Sequence, residues 1–138
     1  MSERTTAGGC LCGAVRYEAR GEPRFAGYCF CNDCRRQSGG GYIGFMGFDA
    51  DKVAITGPVT THSHKLSDGR VADRNHCAQC WSLVFGGIIG ETDNHTIYAG
   101  SLDDPSRFKP TIGIFASEKA AWVIIPPGLS VFERMPGG

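Results

Sequence analysis

The chain has 138 residues, the size of one domain, and 41% hydrophobic with 20% charged residues excludes a disordered tail or a coiled coil. Fourteen Lys and Arg balance fourteen Asp and Glu, so the basic surplus of a nucleic-acid binder is missing. No apolar run reaches the roughly 18–20 residues of a bilayer span, and the start MSERTTAGG lacks the apolar core of a signal peptide. The expectation is a soluble, cytoplasmic single domain, residues 1–138.

Glycine is 20 of 138, about twice the average of roughly 7%, which favours turns over long helices. Short strand-like runs between Gly and Pro breaks give a mainly β class. Residues 14–19 alternate apolar and polar, a half-buried strand closed by Gly21-Glu22-Pro23. Gly39-Gly40-Gly41 reads as a flexible turn, since no Lys-Ser/Thr follows to make a phosphate loop. Residues 42–48, aromatic and glycine-interrupted, read as a bent strand, with Tyr42 and Phe45 in the core or on a cleft wall. A short strand over 52–56 ends at Gly57-Pro58.

Asp68-Gly69 predicts a two-residue hairpin turn, pairing Ser67 with Arg70, Leu66 with Val71, His64 with Asp73 and His62 with Asn75. His62 and His64 then share a face and read as an exposed hairpin edge rather than a metal pair. The returning strand delivers His76 and Cys77 to the head of a Cys-x-x-Cys turn. Residues 82–89 and 95–99 read as a strand pair joined through 90–94. Residues 112–115 form a buried strand, 117–121 make at most a helical turn or two, and Trp122 is placed in the core.

Seven cysteines in a chain without an export signal read as metal ligands or catalysts rather than disulfides. They fall as Cys10-x-Cys12, Cys29-x-Cys31-x-x-Cys34 and Cys77-x-x-Cys80. Cys-x-x-Cys brings two thiolates to one tetrahedral ion, and Gly8, Gly9 and Gly13 free Cys-x-Cys to do the same. Four thiolates from 10, 12, 77 and 80 make a closed, structural zinc. Three from 29, 31 and 34 leave the vacancy of a catalytic one. A ribbon pairing 31/34 with 77/80 is the alternative partition, and it leaves Cys10, Cys12 and Cys29 idle.

The segments GGCLCGAVRY, CFCNDCRRQSGG, the Cys-x-x-Cys at 77–80 and AGSLDDPSRFKP together resemble the glutathione-dependent formaldehyde-activating enzymes, whose domain is shared with centromere protein V. The resemblance spans residues 7 to 123. It implies a β-tent fold of coiled antiparallel sheets stabilised by zinc. It also implies two zinc ions per chain: a structural one on Cys10, Cys12, Cys77 and Cys80, and a catalytic one on Cys29, Cys31 and Cys34. Two departures stand out. Trp81 follows the second Cys-x-x-Cys where the family usually has glycine, and Gly113 occupies a position where relatives often carry histidine.

The implied activity is that of a carbon–sulfur lyase joining glutathione and formaldehyde as S-hydroxymethylglutathione. A zinc held by three thiolates would ionise an incoming thiol. Glutathione carries two carboxylates, and Arg35 and Arg36 beside Cys34 are candidates to grip them. The expected partners are a glutathione-like thiol and an aldehyde, with neither nucleic acid nor membrane. The alternatives are a non-catalytic zinc-stabilised binding module, disfavoured in its chromatin form by the charge balance, and a thiol-rich metal or redox sensor.

Overall fold

The computed structural model describes residues 4–66 and 68–137. Three strands form a small antiparallel sheet: β1 (Thr5–Gly9), β2 (Arg16–Arg20) and β5 (Val53–Thr56), in the order β1-β2-β5. The larger sheet holds β3 (Phe25–Cys29), β4 (Ile43–Asp49), β6 (Val59–Lys65), β7 (Val71–Cys77), β8 (Leu83–Gly86), β9 (Asn94–Tyr98), β10 (Ile112–Ile114) and β11 (Ser130–Val131). Its order is β11-β10-β3-β4-β9-β8-β7-β6. It is antiparallel except around β10, which runs parallel to both β3 and β11. The mainly β reading holds, with this mixed edge added. No helix among the described residues is long and apolar enough to cross a membrane.

Alternation places the core between the two sheets. Tyr17 and Ala19 point inward from β2 while Arg16, Glu18 and Arg20 face outward. They meet Met46 and Phe48 of β4, Val84 and Phe85 of β8 and Ile97 of β9, all buried. In β4, Gly47 lies opposite Phe25, whose ring covers the space a Cβ would take. This is the physical reason for that glycine interruption. The strand pair expected over 82–89 and 95–99 is β8 and β9, with Phe85 opposite Ile97. The helical turn expected at 117–121 is one 3-10 turn over Ala116–Glu118.

Two expectations are corrected. Trp122 is 69% exposed and stands outside the core. The β6–β7 hairpin is shifted by one residue: Lys65 pairs with Val71, Ser63 with Asp73 and His62 with Arg74. The connection is longer than the two-residue turn, for Leu66 N–H donates to the Arg70 carbonyl and Gly69 N–H to the Leu66 carbonyl. Gly69, at φ 92°, supplies the left-handed residue that ends such a three-residue loop. His64 therefore faces Ala72, and Asp73 accepts from the Ser63 hydroxyl at 2.6 Å. The expected pairing of Ser67 lies outside the described residues.

Sequence periodicity also passes over the seven-residue helix α1 (Asn32–Ser38). The Cys31 thiol caps it by accepting from Cys34 N–H at 3.3 Å, Glu118 accepts from Asn32 N–H at 3.0 Å, and Gly39 closes it at φ 74°.

Candidate metal centres and the cavity

Cys10 and Cys12 sit in the tight turn between β1 and β2, where Cys10 N–H bonds the Val15 carbonyl and Gly13 N–H the Cys10 carbonyl. Cys77 ends β7, and Cys80 lies in the turn leading to β8. The four sulfurs lie within 4.8 Å of one another. Cys10 and Cys12 Sγ are 3.6 Å apart and Cys12 and Cys77 Sγ 3.7 Å, against the about 3.8 Å that two 2.3 Å bonds to a tetrahedral ion require.

Backbone N–H groups of Val15, Gln79 and Cys80 aim at the sulfurs of Cys10, Cys77 and Cys77 at 3.2, 3.3 and 3.4 Å. These donors stabilise thiolate charge. The Ser82 hydroxyl stands 3.2 Å from Cys80 Sγ and holds that thiol down to about 5, while its oxygen accepts from Leu11 N–H. The donor set fits a soft divalent ion in a closed site that joins the small sheet to the large one.

The second cluster forms where β3 runs into α1. Cys29 ends the strand, Cys31 caps the helix and Cys34 lies in its first turn, and all three are buried. Their sulfurs also lie within 4.8 Å of one another. Ile43, Phe45, Ile114 and Phe115 pack around them. Hydrogen bonds from the Cys29 and Cys34 thiols push Cys31 well below the ordinary thiol range, and the same contact with Cys31 drives Cys29 up. The Cys29 contact lowers the Cys34 thiol, but Cys31 and burial outweigh it and hold that thiol up at about 11. It is the closeness of the three sulfurs that makes them one donor set able to receive a cation.

Arg74 of β7 reaches this cluster across 40 positions of chain, its Nη2 donating to Cys34 Sγ at 3.7 Å. Its Nη1 donates to the Tyr98 hydroxyl at 3.3 Å. Burial opposes the Arg74 charge, but the acceptors beside it, the Tyr98 hydroxyl and Cys34 Sγ, outweigh this and the guanidinium is held charged. Burial drives Tyr98 up to about 12, so its hydroxyl stays neutral.

The three thiols line a cavity of about 810 Å³, within the roughly 300–1,000 Å³ of small-molecule sites. Arg74, Tyr98, Phe45 and Phe115 share its wall, with Arg70, Asp68, Glu91 and Asp93 among the polar liners. Phe115 holds a left-handed backbone (φ 57°) there, with the Arg70 guanidinium 5.7 Å from its ring centre. Arg35 and Arg36 do not line this cavity: Arg35 Nη2 donates to Asn32 Oδ1 at 3.3 Å and Arg36 is exposed. Tyr42 stacks edge-on with Tyr28 away from it.

The model of the glutathione-dependent formaldehyde-activating enzyme family matches residues 5–118, most of the chain and all seven cysteines. The chain belongs to this family. No curated protein matches it. Among solved structures, a crystal structure of a Rhodobacter sphaeroides protein is similar, with a TM-score of 0.53 and 15% identity. That match covers 91% of this chain and 98% of the other, and at such identity it speaks for the fold alone.

Within the formaldehyde-activating family, both departures now have a physical setting. Gly113 lies between Ile112 and Ile114, which line the cavity, and a Cβ on it would meet the Phe30 ring at 3.0 Å. A side chain at 113 therefore points away from the three thiols. Trp81 occupies a left-handed backbone at φ 63°, the conformation glycine adopts without strain, and its ring is 64% exposed. Trp81→Gly should therefore raise stability by about 1 kcal/mol, lost strain partly offset by a freer unfolded chain. Thermal unfolding would read this as a rise of about 3–5 °C. A fall in Tm would show that the indole contributes packing that outweighs its backbone strain.

Arg74 escapes sequence inspection because a lone arginine on a strand carries no spacing signal. The correct hairpin register is what places it.

Proposed function

We propose that this member of the family is a zinc-dependent carbon–sulfur lyase that makes and breaks the thiohemiacetal of a glutathione-type thiol and formaldehyde. The observation that carries the reading is the contrast between the two clusters. Four thiols gather where the sheets join, whereas three gather on the wall of a cavity, leaving a fourth position for a ligand from outside. Cys10, Cys12, Cys77 and Cys80 would hold a structural zinc, and Cys29, Cys31 and Cys34 a second one. That second zinc, when bound, would supply the Lewis acidity that ionises a substrate thiol near neutral pH.

The chain's own residues do the rest. Cys29, Cys31 and Cys34 fix the open site on a strand end and a capped helix. Phe45, Ile114 and Phe115 give the reacting centre an apolar surround, which strengthens electrostatic contacts there. Arg70 lines the cavity while Arg35 and Arg36 do not, and it would meet a substrate carboxylate with the N–H groups left over from its Nε contact with Asp68.

The test is proton NMR of glutathione with formaldehyde. Protein loaded with two equivalents of zinc should speed exchange between free thiol and S-hydroxymethylglutathione at least tenfold over buffer. An exchange rate equal to that in buffer would overturn the reading.

A further inference from the structure

We infer that Arg74 is a catalytic residue of this chain, donating to the substrate's carbonyl oxygen as the carbon–sulfur bond forms; the inference rests on the lyase reading above. Arg74 is only 4% exposed, yet it stands on the cavity wall beside the three thiols. A guanidinium has five N–H donors. Here one meets the Tyr98 hydroxyl and one meets Cys34 Sγ, while Nε is buried without any partner. A buried charged donor with bonds unmade is costly, and a ligand entering beside the thiols would offer the guanidinium an acceptor that the protein does not. No carboxylate pairs with Arg74 among the described residues, so its charge is directed at the sulfurs and at whatever enters beside them.

The chemistry calls for a donor at this place. When the thiolate sulfur attacks formaldehyde, a C–S bond forms and the C=O π pair moves onto oxygen. The oxygen then takes a proton from water, replacing the one the thiol released to solvent on ionising, so the sum is thiol plus aldehyde giving the hydroxymethyl thioether. In the reverse direction the hydroxyl loses its proton to water, C=O reforms, and sulfur leaves with the bonding pair. Negative charge develops on oxygen in both directions, a bond length or two from the sulfur. A fixed cation with free N–H groups adjoining the thiol cluster stabilises that charge without reorganising, the arrangement that gives oxyanion donors their large effect. Tyr98 positions the guanidinium, since its hydroxyl takes one N–H and its ring lies 5.9 Å from the Arg74 Cζ.

The test compares wild type, Arg74→Lys and Arg74→Ala, each loaded with zinc, by exchange kinetics, zinc content, thermal unfolding and glutathione binding without aldehyde. Removing the donor should lower kcat about 10²–10³-fold. Both zinc ions should be retained, and glutathione affinity should change less than threefold, because the donor acts on the oxygen. Arg74→Lys should recover part of the rate, and added guanidinium should rescue Arg74→Ala. Three results would overturn the inference: variant kcat equal to wild type, a change confined to KM, or loss of the second zinc in step with activity. The last would mean that Arg74 merely holds Cys34 in place. Should Arg74→Ala fail to fold, Arg74→Lys with its zinc count and kcat decides alone. Wild type without any turnover would instead bring down the lyase reading, and this inference with it.

Discussion

With Cys77 replaced by serine, the protein is expected to show no cooperative thermal transition by circular dichroism and to hold at most one weakly bound zinc. Cys77 is fully buried at the end of β7, accepts N–H groups from Gln79 and Cys80, and lies 3.7 Å from Cys12 of the other sheet. It is the joint between segments 65 positions apart. Structural zinc in small metallo-domains contributes on the order of 10 kcal/mol or more, comparable with the about 5–15 kcal/mol by which whole domains are stable. Losing a ligand there removes most of the margin. A two-state melt within a few degrees of wild type would show that the four-thiol site does not hold the fold.

Cys31→Ser should behave in the opposite way, keeping the fold, losing one zinc and losing activity by at least about 10³-fold. The Cys31 thiol caps α1 through Cys34 N–H, and serine is itself a favoured N-cap, so the helix keeps its start. The cluster packs with Ile43, Phe45, Ile114 and Phe115 beside the cavity, apart from the larger core between the sheets, and serine keeps the volume of Cys31 there nearly unchanged. Unfolding, exchange kinetics and elemental analysis on one preparation separate these effects. A Tm loss as large as that of Cys77→Ser would contradict the division of labour between the two sites.

Much of the site was legible because ligand spacing is local. A Cys-x-x-Cys turn positions its two sulfurs whatever the surrounding fold, but spacing left the ribbon partition open, and it was the family resemblance that implied the division into four and three thiols that the sulfur positions now match. The elements harder to read depend on distant contacts. The helix α1 has no periodic apolar face, and two of its first N–H groups are satisfied by a thiol and by Glu118, which no short-range pattern reveals. The hairpin register turned on one extra loop residue, since Asp-Gly serves both the two-residue turn and the three-residue loop found here. A one-residue slip changes every cross-strand neighbour, and with it went the position of Arg74 opposite His62. Trp122 looked like core by type alone, yet nothing covers most of its ring among the described residues.

Whether the three-thiol site accepts a substrate sulfur is decided by calorimetry of glutathione binding to the zinc-loaded protein in two buffers of different ionisation enthalpy. A thiol that enters the open position loses its proton, so close to one proton per glutathione should be released below the thiol's own pKa. Binding should tighten as pH rises towards that pKa, and S-methylglutathione, whose carboxylates are unchanged, should bind at least tenfold more weakly. Glutathione binding without proton release, and with equal affinity for the S-methyl compound, would mean that no substrate sulfur enters that site.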